Sequence, residues 1–135
     1  DEPPEGERVL SEATARALIQ MMEAVVGAPE GTGKRAAVRN YRVAGKTGTA
    51  WKSSAGGYSK DRYTAVFAGL APVSAPRVVV VVVIDEPQGG SYYGGEIAAP
   101  VFANIVTGAM RVLAVPPDDL PQAPLTIVAE ARVVP

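Results

Sequence analysis

The first part of the chain carries the apolar spacing of a helix. One stripe, at intervals of three and four residues, is formed by Leu18, Met21, Met22 and Val25. Ser11 precedes this stripe and is a favoured N-cap residue, while Gly27 followed by Pro29 supplies a stop signal. The pattern therefore predicts a helix over residues 12–26.

Two strand-like segments follow a loop that contains glycine and proline. Residues 41–51 and 63–70 have the composition of strands, and residues 53–61 read as the turn between them. Gly45 and Gly48 weaken the first strand as a packed element and leave its backbone open to close approach by another molecule. We therefore expect the first strand to form a binding edge.

The third strand signal, residues 77–85, contains six consecutive valines followed by Ile84 and shows no alternation. An uninterrupted apolar run is typical of a strand that is buried on both faces, so the pattern predicts a central strand with helices above and below. The links between the three strands are too short for parallel crossovers. The sheet is therefore expected to be antiparallel.

A second helix signal opens at Gly94, with Pro100 in its first turn. Its apolar stripe is formed by Ala98, Val101, Phe102, Ile105, Ala109 and Val112. Together these signals predict an α+β domain over residues 1–114, in which an N-terminal and a C-terminal helix cover an antiparallel sheet of three strands. Residues 115–135 hold five prolines and predict an extended tail, with a short strand at 125–128.

The composition of the chain excludes several classes of function. The 135 residues carry 13 basic and 14 acidic side chains, which leaves no electrostatic footprint for nucleic acid. Without cysteine or histidine the chain has no thiol nucleophile, no Ser-His-Asp triad and no zinc site built on those residues, and we expect no metal or cofactor. The apolar run at 78–84 is too short to cross a bilayer, and the acidic N-terminus does not have the pattern of a signal peptide.

The candidate chemistry lies on the first strand. Lys46, Thr47 and Gly48 place a cation, a hydroxyl and a position without a side chain in succession, and Thr49 adds a second hydroxyl on the same side as the first. These groups suit a peptide carboxylate, with an ordinary strand and a solvated lysine as the alternative. Trp51 either lines this site or packs against the sheet, and the sequence leaves both open.

Two other patterns do not complete a site. Residues 31–34 resemble a phosphate-binding loop, but Ala28 and Arg35 stand where that loop needs a glycine and a hydroxyl. Asp85 and Glu86 are adjacent, so we expect them to point to opposite faces as solvated turn residues rather than to share one ligand.

The motif at residues 46–49 lies within a longer sequence pattern that resembles the division-specific class B penicillin-binding proteins. The resemblance extends over about residues 11–120, and its most specific segments are 43–50 (VAGKTGTA), 67–72 (FAGLAP), 79–87, 92–95 (YYGG), 99–102 (APVF) and 115–117 (VPP). It implies the C-terminal part of a transpeptidase domain with the penicillin-binding and serine β-lactamase-like fold.

This resemblance implies a peptidoglycan D,D-transpeptidase that cross-links stem peptides during septal wall synthesis and is inactivated by β-lactams. By analogy, Lys46 organises the active-site charges on the substrate-binding strand that includes Gly48. Thr47 and Thr49 would bind the carboxylate of the stem peptide or the β-lactam. The Thr49 backbone N–H would supply half of the oxyanion hole.

By the same analogy Tyr63, Tyr92 and Tyr93 form an aromatic wall around the ligand, with core or surface packing as the alternative. The chain departs from the family pattern because it has no Ser-x-x-Lys and no Ser-x-Asn motif. Its serines stand only at 11, 53, 54, 59, 74 and 91. We therefore expect a fragment that does not acylate alone and that needs the upstream half of the domain as a partner.

Two rival interpretations remain. A β-lactamase or a β-lactam sensor would share the strand, although the Pro-Pro-Asp segment and the tail favour a penicillin-binding protein. A non-catalytic interaction module of the division machinery would use the sheet edge that the missing strands leave open, through which the chain would pair with another copy or a companion chain. The resemblance implies divisome partners and a place on the periplasmic side of the bacterial inner membrane, with the anchor outside this sequence.

Overall fold

The computed structural model describes residues 6–54 and 56–121 and confirms the α+β class. Its elements are helix α1 (Glu12–Gly27), a 3₁₀ turn (Lys34–Ala36), strands β1 (Ala44–Ser54), β2 (Gly57–Ala71) and β3 (Val78–Asp85), and helix α2 (Gly94–Val112). In this part of the chain the three strands form one antiparallel sheet in the order β1-β2-β3, as the short links predict. None of the helices described is both long and apolar enough to cross a membrane.

The core lies on one face of this sheet. Phe67 of β2 is fully buried, and its ring centroid lies 4.8 Å from that of Phe102 of α2. Val26 of α1 and Val82 of β3 belong to the same buried cluster, so both helices contribute to the same face. Gly45 leaves room for this packing, because a Cβ there would lie 2.5 Å from the Phe67 ring. Core packing therefore requires a glycine at position 45, whereas the sequence suggested that Gly45 leaves the backbone open to a ligand.

The prediction that β3 is a central strand buried on both faces is wrong for the residues that the structure describes. Its side chains alternate: Val82 is buried, whereas Val79, Val81 and Val83 are 59–74% exposed. β3 pairs only with β2 here, and both helices cover the opposite face. Valine favours strands for its β-branched shape, so a run of valines does not distinguish a covered face from an open one. We call the face with these three exposed valines the outer face.

The two helices turn only part of each predicted stripe to the core, since Ala98 and Phe102 of the α2 stripe are buried as predicted. In α2 the buried set is Gly94, Ala98, Ala99, Phe102, Val106 and Met110. Val101, Ile105 and Val112 of the predicted stripe are exposed, and in α1 so are Leu18 and Met21, while Val26 is buried. Both helices are apolar on more than one face, so spacing alone does not fix their rotation.

Several element boundaries differ from the prediction. The turn predicted over 53–61 is much shorter, because β2 already begins at Gly57. β1 begins at Ala44 rather than at 41. Pro100 is the seventh residue of α2 and therefore lies beyond its first turn. Ser11 caps α1 as predicted, accepting a hydrogen bond from the Thr14 N–H.

The segment after α2 is attached to the start of β1. The Tyr41 hydroxyl donates to the Val115 carbonyl at 2.6 Å, and the Asp118 carboxylate accepts from the N–H groups of Arg42 at 2.8 Å and Ser74 at 3.1 Å. The strand predicted at 125–128 lies outside the described residues. The domain boundary at 114 stays a prediction.

Candidate functional site

The candidate motif lies on an open strand edge. In the described residues β1 pairs only with β2, so its other edge, with residues 46–49, presents backbone groups to a ligand. Thr47 stands opposite Phe67 and Thr49 opposite Ala65, which places both hydroxyls on the helix-covered face of the sheet. We call residues 46–49 the binding edge.

The Lys46 side chain starts from the opposite face of β1, but its ammonium group lies at the same edge. Its Nζ donates to the Thr47 carbonyl at 2.9 Å and lies 3.3 Å from Thr47 Oγ1. Among the described residues no carboxylate forms an ion pair with this ammonium group. Its positive charge is therefore available to an anionic ligand next to the threonine hydroxyls.

The first residue of α2 orients the second threonine. The Gly94 N–H donates to Thr49 Oγ1 at 3.2 Å, which leaves the threonine hydroxyl proton to be donated elsewhere. This approach needs a glycine, because a Cβ at Gly94 would lie 2.3 Å from the Val66 carbonyl oxygen and 2.5 Å from that of Gly48. The helix start is therefore fitted against the binding edge.

A cleft of ≈ 400 Å³ opens beside these hydroxyls. It is lined by Gly31, Thr32, Lys34, Arg35, Thr47, Thr49, Tyr93, Gly94, Gly95 and Glu96. Thr32 Oγ1 lies 3.2 Å from Thr47 Oγ1, and Arg35 donates to the Glu96 carbonyl at 3.2 Å. The lining carries the cations of Lys34 and Arg35 against the one carboxylate of Glu96, together with three threonine hydroxyls, so this cationic cleft suits an anionic group.

Three tyrosines gather at the other end of the binding edge. The rings of Tyr63 and Tyr92 stack with centroids 4.0 Å apart, and Tyr93 lies 4.5 Å from Tyr92. The Tyr92 hydroxyl donates to that of Tyr93 at 3.2 Å, and this hydrogen bond raises the pKa of Tyr92 to about 12. The phenol therefore stays neutral at physiological pH.

Trp51 completes this aromatic cluster. It stands opposite Tyr63 in the β1–β2 register and is 60% exposed. A groove of ≈ 410 Å³ is lined by Thr49, Trp51, Tyr63, Tyr92 and Tyr93. We call it the aromatic groove. Of the two interpretations that the sequence left open for Trp51, the structure supports the one in which it lines the site.

The structure thus places most of the predicted site residues on two adjoining cavities: Thr47 and Thr49 line the cationic cleft, and Thr49 and the three tyrosines line the aromatic groove. Lys46 and Gly48 lie on the binding edge but line neither cavity. Sequence reasoning missed Thr32, Arg35 and Gly94. The sequence of residues 31–34 indicates only an incomplete phosphate-binding loop, and its glycines are the available signal. Thr32 contacts Thr47 across 15 positions, a proximity that only the fold creates.

The acidic pair at the end of β3 differs from expectation. Glu86 follows the strand with a φ of 45°, and Asp85 and Glu86 both lie 2.8 Å from Lys52 Nζ. The two carboxylates therefore share one cation, and the prediction of opposite faces is wrong. The described residues contain no group of three or more acidic side chains that could hold a metal ion.

Comparison with known proteins bears on the same residues. The sequence profile of the penicillin binding protein transpeptidase domain matches residues 1–107. The peptidoglycan D,D-transpeptidase FtsI of Escherichia coli is 48% identical over 120 residues, which are 89% of this chain and 20% of that protein. The probable peptidoglycan D,D-transpeptidase PbpC of Pseudomonas aeruginosa is 46% identical over 110 residues, which are 82% of this chain and 19% of that protein.

A solved structure agrees with the sequence matches. The apo transpeptidase domain of penicillin-binding protein 3 from Burkholderia pseudomallei superposes with a TM-score of 0.79 at 48% identity, covering 89% of this chain and 36% of that one. The chain thus spans about a fifth of the length of the curated relatives. With a family profile matched over most of its residues, the chain belongs to the penicillin-binding-protein transpeptidase domain family.

Proposed function

We propose that this chain forms the substrate- and β-lactam-binding part of a peptidoglycan D,D-transpeptidase that cross-links stem peptides during septal wall synthesis. The observation that carries the proposal is the open binding edge, on which Thr47 and Thr49 turn two hydroxyls toward one cationic cleft. The family and the names of the relatives support the same reaction.

In this proposal the C-terminal carboxylate of a stem peptide, or the carboxylate of a β-lactam, binds the hydroxyls of Thr47 and Thr49. Thr49 is suited to this role because it already accepts from Gly94 and retains a proton to donate. Lys46 adds positive charge at the edge. The Thr49 N–H would be one of two oxyanion donors, since alternate backbone groups of an edge strand have no ladder partner.

The nucleophile must come from elsewhere, because no serine of this chain is followed by a lysine three residues later. We propose that the upstream half of the transpeptidase domain supplies it and docks on β3. In the residues that the structure describes, β3 has an exposed outer face and an edge without a paired strand, and both support this placement. The chain alone would then bind ligands without being acylated.

Labelling with a fluorescent penicillin tests the proposal. We expect no covalent label on the chain alone and labelling of the serine-bearing half once the two are mixed. Thr47→Val in the mixture should weaken labelling while Thr47→Ser retains it. Labelling of the isolated chain would refute the claim about the nucleophile, and a mixture that folds but never labels would refute the proposed activity.

By resemblance we further propose a place on the periplasmic side of the bacterial inner membrane, with divisome proteins as partners. A second role, as a non-catalytic interaction module, is favoured by one observation, the 59–74% exposure of Val79, Val81 and Val83. It predicts self-association of the chain through this part of the sheet. Light scattering at high concentration tests this self-association, and a strictly monomeric chain would count against the role.

A further inference from the structure

We propose that Trp51 is a specificity-determining residue, whose indole ring forms the outer wall of the aromatic groove and selects ligands that carry an aromatic acyl side chain. The inference rests on the proposed function, because it takes the ligand carboxylate to lie at Thr49. The three tyrosines supply the rest of the groove.

Strand geometry places Trp51 close to the proposed carboxylate site at Thr49. Thr49 and Trp51 are two positions apart on one face of β1, which separates them by roughly 6.6 Å along the strand. The β1–β2 register shifts directly after Trp51, and such bulges re-aim side chains next to binding sites. A ligand held at Thr49 that extends along the strand toward Ser53 would therefore pass over the indole.

Packing within the described residues does not account for the position of this indole. Trp51 is 60% exposed, and its one ring contact there is with Tyr58, tilted by 48° at 6.5 Å. A large aromatic side chain that remains mostly in water on an edge strand gains little from the fold itself. Its exposed face continues the surface of the tyrosine cluster, so a bound ring would remove both from water.

The chemistry of the groove defines its occupant. Its five lining residues carry no charged side chain and offer four aromatic rings, with hydroxyls at Thr49 and the tyrosines. The Tyr92 hydroxyl donates to that of Tyr93, and the Tyr92 phenol, with a pKa of about 12, is neutral at physiological pH. A flat, neutral group fits these walls, whereas a charged one would find no counter-ion.

The test compares two β-lactams with the same nucleus, benzylpenicillin, which carries a phenylacetyl group, and 6-aminopenicillanic acid, which lacks it. The complete transpeptidase domain that contains this chain is acylated by each, and the ratio of the two second-order rate constants is measured. We expect Trp51→Ala to lower this ratio about fivefold, the effect of losing one aromatic contact, and Trp51→Phe to retain it within about twofold.

Tyr58→Ala is the matched control, because Tyr58 is an exposed aromatic neighbour of Trp51 that does not line the groove. Its ratio should match that of the wild type. An unchanged ratio in Trp51→Ala, or an equal fall in both alanine variants, would overturn the inference while the proposed function stands. A wild-type domain that neither compound acylates would overturn the proposed function and this inference with it.

Discussion

Gly94 and Thr49 are joined by a hydrogen bond of 3.2 Å from the backbone N–H of the first residue of α2 to the threonine Oγ1. One residue belongs to a helix and the other to the binding edge, 45 positions earlier in the chain. The bond holds the Thr49 hydroxyl as an acceptor at the start of α2, so the position of α2 and the orientation of the Thr49 side chain depend on each other.

Replacing Thr49 by valine keeps the shape of the side chain and removes the hydroxyl. We expect acylation of the complete domain by penicillin to slow roughly 10- to 100-fold, the loss of a hydrogen bond to a charged group. Thr49→Ser retains the hydroxyl and should stay close to the wild-type rate. Stopped-flow or gel-based acylation measures both, and equal rates for Thr49→Val and the wild type would remove Thr49 from carboxylate binding.

The close approach of α2 to the binding edge predicts that Gly94→Ala is destabilising. The added Cβ would lie 2.3 Å from the Val66 carbonyl oxygen, which is backbone and cannot move freely. We expect a loss of about 2 kcal/mol in the free energy of unfolding, measured by urea denaturation.

Gly108→Ala is the matched control in the same helix, because nothing lies within 4 Å of its added Cβ. It should raise the free energy of unfolding by about 0.5–1 kcal/mol through the better helix propensity of alanine. If both variants were stabilised, the tight fit of Gly94 against β1 would be contradicted.

Local signals explain what the sequence could predict. Ser11 caps α1 through a contact with Thr14 only three residues away, and the binding edge is recognisable as a continuous tetrapeptide. The antiparallel order follows from the short connections between strands. Each of these features is determined by residues that are close in sequence.

Features that depend on the far side of the molecule were not predictable in the same way. The outer face of β3 carries the same residue type as its inner face, so Val81 and Val82 cannot be told apart without knowing where the helices lie. Similarly, Thr32 reaches the site because the loop after α1 folds against the edge at Thr47. The spacing of residues along the chain predicts neither the covered face of β3 nor the contact between Thr32 and Thr47.

The Asp118 carboxylate gives the stability of the chain a defined dependence on pH. Partial burial raises the pKa of Asp118, but the N–H groups of Arg42 and Ser74 favour the charged form and hold the pKa below its ordinary value of 3.8. A carboxyl group with a depressed folded-state pKa stabilises above its unfolded pKa and loses that contribution as the pH falls through the folded-state value.

Asp118→Ala should therefore lower the urea midpoint at pH 7, and its difference from the wild type should shrink as the pH falls below 3.8. Asp119→Ala is the control. Asp119 contacts Asn40 through its backbone N–H, so the loss of its carboxylate should change the midpoint little. A difference that stays constant from pH 7 to pH 3 would show that the charge of Asp118 does not attach the segment after α2.

The outer face of β3 predicts how the chain associates. Val81 lies at its centre, 60% exposed between Val79 and Val83, and an aspartate there would carry a charge into whatever covers the face. Because burying an unpaired carboxylate costs several kcal/mol, Val81→Asp should lower penicillin labelling of the mixed halves more than about tenfold. It should also abolish any self-association seen by light scattering.

Val9→Asp, at a position 84% exposed, adds the same charge away from the sheet and should change neither measurement. Undiminished labelling with Val81→Asp, in a chain that retains its circular dichroism spectrum, would mean that the outer face stays in water and that the upstream half docks elsewhere.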